Sequence, residues 1–389
     1  MKSSTRILFI LSLLLTASIQ TFAGTSPFKV VHGPWIQNVT ETSFTVLWTT
    51  EQKALCWVEV APDDGTAWEQ ESRAKYYETC TGRRLTGTFH SITVGGLEKA
   101  TKYRYRIVGQ PIANDENPYA TDYLAARVAR GVHTIKTLDH SAASCRFSMV
   151  NDMHFNDAKY ATLMHGMDKA KTDFIVLNGD IVSFSNYQDT LIKHTFDPIR
   201  EYSADFPVFF ARGNHETRGV EFYLLPKAFP TSTGEFYYTF RQGPVAFIVL
   251  DAGEDKPDNS PEYSGQAAFD EYRLQELEWM KKAMKDPDFA NAPKKVCIMH
   301  VPVLDEPDAW YSQHWIAQNF TPVLNEAGID MMISGHHHKY IVGQPGKYGN
   351  NFPIIVNSNN ERLDFSATAS RITIKTYNES GALVHSLEY

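Results

Sequence analysis

Five short groups of polar residues recur along the chain: Asp152-Met153-His154, Gly179-Asp180, Gly213-Asn214-His215-Glu216, His300, and Gly335-His336-His337-His338. Carboxylate, amide and imidazole donors together suit zinc, iron, manganese and related ions. Seven of them, Asp152, His154, Asp180, Asn214, His300, His336 and His338, exceed what one tetrahedral site takes. Two ions sharing a bridging carboxylate fit that number. Such a pair lowers the pKa of a water so that hydroxide exists near neutral pH. It also polarises an ester oxygen and neutralises the charge that builds as a leaving group departs. A glycine precedes Asp180, Asn214 and His336, as expected where a chain turns sharply and its backbone approaches a charged centre. Taken singly, each group is more often an ordinary turn, cap or core residue. Their joint occurrence is what points to a metal centre.

The elements around these groups explain how they could meet. Runs reading as strands (Phe147–Val150, Phe174–Leu177, Val208–Phe210, Val245–Leu250, Val296–Met299, Asp330–Ile333) alternate with segments reading as helices near 157–170, 187–202, 267–284 and 313–327. Alternation of this kind predicts an α/β domain, and each polar group falls just past the C-terminal end of a strand, where an open sheet gathers its loops on one rim. In the 267–284 helix, Leu274, Leu277, Met280 and Met284 read as a core-facing stripe. The tail returns to strands at 354–356, 372–377 and 383–387. Ahead of this domain, from Gly33 to Thr137, short alternating strands (43–49, 55–60, 88–94, 102–108) are broken by turn clusters, which predicts a small β-sandwich.

The order Asp-x-His, Gly-Asp, Gly-Asn-His-Glu, a His after a strand, and Gly-His-x-His resembles that of the calcineurin-like metallophosphoesterases. With a β-sandwich in front, the whole resembles the arrangement of purple acid phosphatases. Gly96-Leu97, Thr101-Lys102-Tyr103-Arg104-Tyr105 and Leu47-Trp48-Thr49-Thr50 resemble turn and strand segments of fibronectin type III domains. Beyond a signal peptide read over 1–23, the resemblance implies a fibronectin type III-like β-sandwich over 24–138 and, over 139–389, a metallophosphoesterase domain of two β-sheets flanked by helices. It implies that Asp152, His154, Asp180 and His338 hold one metal and Asp180, Asn214, His300 and His336 the other, with Asp180 as the bridge. His215 matches the residue that stabilises the attacked phosphate and protonates the leaving oxygen, and His337 sits at the variable position of the last motif. One departure matters: the purple enzymes carry a tyrosine shortly after Gly-Asp, whereas here Ile181-Val182-Ser183-Phe184 follows. With no phenolate, purple colour is not expected, and manganese, zinc or iron all remain open.

The bulk properties are those of a globular protein: 389 residues, 43 % hydrophobic and 21 % charged. Lys2 and Arg6, an apolar run from Ile7 to Leu15, and Thr21-Phe22-Ala23 before Gly24 have the order of a secretory signal cleaved after Ala23, so a secreted or periplasmic location is expected. Loss of that segment moves the formal charge from −8 to −10. An acidic surface disfavours a nucleic-acid polymer as partner and leaves a small phosphorylated substrate as the expectation, with no membrane span. Cys56 and Cys80 share the β-rich segment and could pair; free buried thiols are the equal alternative. A serine hydrolase is excluded by the lack of a GxSxG elbow, and a zinc protease by Gly219, which spoils HExxH. The expected activity is hydrolysis of phosphate esters, monoesters favoured over phosphodiesters or nucleotides. A non-catalytic surface binding protein is the distant alternative. Asp305, Asp308, Trp310, Tyr311 and Tyr187 are candidates for the lip of the pocket, where Trp310 and Tyr311 could stack on a base or sugar.

Overall fold

The computed structural model describes residues 28–70 and 72–389, so the expected leader and its cleavage point lie outside the described residues. The first part contains β1 (Trp35–Gln37), β2 (Phe44–Pro62), β3 (Ala74–Tyr76), β4 (Thr86–Val94), β5 (Lys102–Pro111) and β6 (Val128–Lys136), with a short hairpin between β3 and β4. The two strands expected at 43–49 and 55–60 are in fact one, 19 residues long. Its first half pairs with β1 and β4, its second half with β3 and β5, and β6 adds to β5. The register shifts between Thr49 and Ala54, where Glu51, Gln52 and Lys53 are exposed, so one strand serves both sheets of a β-sandwich. The Tyr103 hydroxyl accepts the Glu98 N–H at 2.9 Å, which pins the turn ahead of β5 to that strand.

The second part runs β7 (Ser144–Val150), α1 (Asp157–His165), β8 (Phe174–Asn178), α2 (Gln188–Phe196), β9 (Val208–Ala211), β10 (Tyr238–Gln242) and β11 (Val245–Leu250). It continues through α3 (Phe269–Ala283), β12 (Lys294–Met299), α4 (Tyr311–Ala327), β13 (Met331–Ser334), β14 (Ile341–Gly343), β15 (Ile354–Val356), β16 (Glu361–Thr368), β17 (Ile372–Asn378) and β18 (Leu383–Glu388). Two six-stranded sheets result, ordered β9-β8-β7-β16-β17-β18 and β10-β11-β12-β13-β15-β14. Side chains alternate with the period of a strand. Phe147, Phe174, Phe209, Val245, Phe247, Val296, Ile298 and Ile333 fill the space between the sheets, while Ile175, Leu177 and Phe210 face α1 and α2, and Ile248, Cys297, Met299 and Met332 face α3 and α4. Burial on both faces is why these strands read as continuous apolar runs. Phe209 stacks on Phe240 at 3.7 Å and Phe147 meets Phe247 edge-on at 5.8 Å, so aromatic pairs join the two sheets.

Several expectations need correction. The first helix stops at His165, before Gly166. The 187–202 helix breaks at Phe196, where Pro198 imposes a tighter turn. In α3, Leu277, Met280 and Met284 are buried, but Leu274 is 54 % exposed and does not belong to the stripe. Cys56, Cys145 and Cys297 are buried thiols and Cys80 an exposed one, so Cys56 and Cys80 do not pair. Strand β16 lies outside the strands expected from the sequence, although Leu363, Phe365 and Ala367 alternate into the core while Arg362 and Asp364 take the opposite face. Arg362 pairs with Asp364 and donates to the Leu163 carbonyl under α1.

The sandwich packs on the α1–α2 side of the second part. Trp35 stacks on Phe196 at 4.5 Å, and the buried Tyr105 hydroxyl donates to the Ala204 carbonyl at 2.6 Å. His32 is wedged between Asp197 (2.8 Å) and Asp189 (2.7 Å), one on each ring nitrogen. Two carboxylate acceptors require both nitrogens to carry protons. The Asp197 hydrogen bond, with Asp189 adding to it against the effect of burial, raises the His32 pKa above its ordinary 6.5. A raised folded-state pKa gives stabilisation that is complete below 6.5 and lost as pH rises through the folded value. His32→Gln should therefore destabilise most below pH 6.5, with its gap to wild type in chemical unfolding closing at higher pH. A gap independent of pH would mean that the imidazole is not the charged partner.

Candidate metal centre

The five polar groups occupy one rim, but two sheets share it: the loops after β7, β8 and β9 come from the first sheet and those after β12 and β13 from the second. Within each of the trios Asp152/His154/His338 and Asp180/His300/His336, the ligand atoms lie within 4.8 Å of one another, and Asp180 also groups with His154 and His215. Asp152 Oδ1 is 3.2 Å from His338 Nε2, Asp180 Oδ2 is 3.2 Å from His300 Nε2, and the Nε2 atoms of His154 and His338 are 3.2 Å apart. Donors at such separations match ligands about 2.1 Å from a shared ion.

Each side chain is oriented by a contact on its far side. Asp152 Oδ2 accepts from Asn151 Nδ2 (2.6 Å) and the His336 N–H (2.9 Å), which leaves Oδ1 for the rim. Asp180 Oδ1 accepts the His215 N–H at 2.9 Å, and Oδ2 faces the imidazoles. His300 Nδ1 donates to the Asn178 carbonyl at 2.7 Å, so that Nε2 faces inward. Hydrogen bonds of this kind fix ring tautomers and raise ligand basicity. Among the seven candidate ligands, three buried atoms have no hydrogen-bond partner in the protein: Asp152 Oδ1, Asn214 Oδ1 and His300 Nε2. His300 Nε2 lies 3.2 Å from Asp180 Oδ2 without hydrogen-bond geometry, a close approach of two donor atoms rather than a satisfied pair. Buried polar atoms are otherwise paired as a rule, so this donor set fits cations.

The backbone is bent to make the approach possible. Asp152, His154, Phe155, Asp180, His336 and His338 all have φ between 47° and 71°. The first two loops are zipped together, Asp152 N–H to Gly179 O (2.9 Å) and His154 N–H to Asp180 O (3.0 Å). At Gly213 a Cβ would stand 2.2 Å from Asp180 Oδ1, and at Gly179 (φ 75°) 2.4 Å from His300 Nδ1, so only glycine fits either place.

Electrostatics follow the geometry. Burial opposes ionisation of Asp180, yet His300 and His215 hold its carboxyl below the usual range. Burial likewise pulls on His300, but the Asp180 and Asp152 carboxylates push it up to about 10. His336 is drawn down to about 4 by burial and by His300.

The remaining sequence candidates divide. His215 lies beside Asp180, with Nε2 3.8 Å from Oδ2 and Nδ1 donating to the Ser183 carbonyl at 3.1 Å. His337 turns away toward Gln313, 3.1 Å from its amide nitrogen. Trp310 and Tyr187 are exposed, whereas Tyr311 is tied to Asp270 and Asp305 to His314. Sequence reasoning assigned no role to Glu216, Asn151, Asn357 or Arg218. Asn151 and Asn357 hold each other beside Asp152, Asn357 Nδ2 donating to Asn151 Oδ1 at 2.8 Å. A buried asparagine just past the end of a strand was the available signal.

The chain belongs to the calcineurin-like phosphoesterase family, whose profile matches residues 145–340, half of its length. It is 22 % identical over 281 residues to purple acid phosphatase 23 of Arabidopsis thaliana, across 66 % of this chain and 57 % of that one. With the serine/threonine-protein phosphatase CPPED1 of Danio rerio it shares 24 % over 177 residues, across 43 % and 55 % of the two chains. The chain thus spans little more than half the length of these curated relatives. Its fold is similar to that of the purple acid phosphatase PPD1 from yellow lupin (Lupinus luteus) seeds, with a TM-score of 0.67 over 91 % of this chain and 73 % of that one at 15 % identity.

Glu216 is the clamp of the rim. Fully buried, it accepts the N–H groups of Gly213 (2.9 Å), Asp180 (3.0 Å) and Ile181 (2.8 Å). Burial and the nearby Asp180 push its carboxyl up to about 7. Glu216→Ala should strand these amides and lower unfolding stability by about 2–4 kcal/mol, since each unsatisfied buried donor costs about 1–3 kcal/mol. Glu216→Gln should lose less, and equal losses in chemical denaturation would show that the acceptor oxygens are not what matters.

Proposed function

We propose that the protein is a metal-dependent phosphoesterase acting on phosphate esters, monoesters favoured. The observation that carries this reading is the grouping of Asp152, His154 and His338, and of Asp180, His300 and His336, with ligand atoms within 4.8 Å of one another, beside buried and unpartnered Asp152 Oδ1, Asn214 Oδ1 and His300 Nε2. Asp152, His154, Asp180 and His338 would hold one ion and Asp180, Asn214, His300 and His336 the other, with Asp180 between them. When bound, the ions supply Lewis acidity, neutralising phosphate charge and making water more acidic. The chain supplies orientation and a proton. His215, held at Nδ1 by the Ser183 carbonyl, presents Nε2 near Asp180. Protonated there, it gives that proton to the leaving oxygen as the P–O bond breaks, while in-line attack delivers the oxygen of water to phosphorus.

The name "phosphatase" carried by the curated relatives supports a monoester preference. A division of the chain at Leu138–Asp139, with a fibronectin type III-like first part, also belongs to this proposal. Its support is that the strands from 35 to 136 pair among themselves except for one bridge, Ile36 with Pro207. Export from the cell rests on the order of charge, apolar run and small residues at 1–23. Among the described residues no helix is long and apolar enough to cross a membrane.

The test is elemental analysis of the purified protein beside hydrolysis of an aryl phosphomonoester and an aryl phosphodiester. Two metals per chain, faster monoester turnover, and loss of both metal and activity in Asp180→Ala are expected. A preference for the diester would revise the substrate class, and a metal-free, inactive protein after reconstitution with manganese, zinc or iron would leave a binding role. Since Ile181 to Phe184 place no phenolate after Asp180, the iron-loaded protein should show no intense visible charge-transfer band.

A further inference from the structure

Arg218 lies against His215 in an unusual way. Its Nη1 is 3.3 Å from Nδ1 and 3.0 Å from Nε2 of the ring. A nitrogen nearly equidistant from both ring nitrogens cannot lie in the ring plane, because it would collide with the carbon between them. It sits over the ring face with an N–H directed at the ring, a cation above an aromatic ring rather than an in-plane hydrogen bond. The in-plane Nδ1 position is taken by the Ser183 carbonyl, and the His215 backbone by Asp180 Oδ1. Edge, face and backbone of this histidine are therefore each held by a different group.

Arg218 is itself locked. Its Nε and Nη2 bind the two oxygens of Glu254 at 2.7 and 2.9 Å, and Glu254 is 2 % exposed. The Tyr263 hydroxyl donates to the same carboxylate at 3.3 Å, and the Arg218 carbonyl accepts the Ser185 N–H. A guanidinium whose fork is already engaged by a buried carboxylate has little left with which to grip a phosphate. What it presents to the rim is the remaining Nη1–H, directed at the imidazole.

We infer that Arg218, fixed by Glu254, is a positioning residue that keeps the His215 imidazole aligned for proton transfer to the leaving oxygen. This rests on the reading of His215 as the proton donor. The step it serves moves the Nε2 proton to the leaving oxygen, which keeps the electron pair of the broken P–O bond, while phosphorus gains the oxygen of water. An alcohol leaving as a strong base needs that proton, and a nitrophenolate hardly does. Loss of alignment should therefore appear as leaving-group dependence and not as weaker binding.

The experiment compares p-nitrophenyl phosphate with an alkyl phosphate on the metal-loaded protein, for wild type, His215→Ala, Arg218→Ala, Arg218→Lys and the double variant His215→Ala/Arg218→Ala. Arg218→Ala should lower kcat on the alkyl ester by about tenfold or more, with a much smaller loss on the aryl ester and KM within about twofold for both. Arg218→Lys keeps an ion pair with Glu254 but has a single nitrogen, which cannot hold that carboxylate and cap the imidazole at once, and should not restore the rate. The double variant should be no worse than His215→Ala alone. If Arg218→Ala unfolds because Glu254 is left buried and unpaired, Arg218→Ala/Glu254→Gln removes that charge and is expected to show the same kinetic pattern. A rise in KM on both esters would mean that Arg218 grips phosphate directly, and full rescue by lysine would mean that charge alone suffices; either overturns the inference. If His215→Ala shows leaving-group dependence and Arg218→Ala does not, this inference fails alone. If His215→Ala shows none, the proton-donor reading fails and this one with it.

Discussion

Asp152 and Asp180 are 1 % and 2 % exposed, and their carboxylates lie 3.7 and 3.2 Å from the same imidazole nitrogen, His300 Nε2. Two carboxylates so placed repel each other, and removing each from water costs several kcal/mol even after the protein relaxes. Two kinds of neighbour answer that cost. Amide donors from Asn151 and from the His336 and His215 backbones occupy one oxygen of each pair, and imidazoles face the other. The compensation is complete only when positive charge sits between the carboxylates, and the rest of the rim is organised around that need.

Geometry has its own cost. Six side-chain-bearing residues in the left-handed region, each strained by about 1–3 kcal/mol, would not persist in an isolated loop. They persist because the loops after β7 and β8 hydrogen-bond to each other and because Glu216 ties Asp180 to Gly213. The parallel strands beneath are buried on both faces and give those loops rigid roots. Strain at the rim is thus supported by packing some distance below it.

What was legible in the sequence follows from the same division. Strands such as Val245–Leu250 and Val296–Met299 announce themselves because both faces are apolar, and the motifs stand out because each sits directly past such a strand. Features set by distant partners were not legible. Nothing local tells that β2 crosses between sheets, that Leu274 faces solvent, or that the Tyr311 hydroxyl is held by Asp270. Glu216 reads as one more motif residue until its amide donors, up to 36 positions away, are in place. Arg218 carries no signal at all without Glu254, 36 residues further on.

Strand β16 lies between β7 and β17, antiparallel to β7, with Leu363 opposite Met149 and Phe365 opposite Phe147. Asn357, just ahead of it, holds Asn151 beside the Asp152 carboxylate. The contacts span more than two hundred positions, so as the chain emerges during synthesis β7 remains an open edge until residues beyond 360 have appeared. The family match ends at residue 340, yet the sheet that carries Asp152 is completed only afterwards. The rim that bears Asp152 is therefore complete only once the last strands of the chain have docked beside β7.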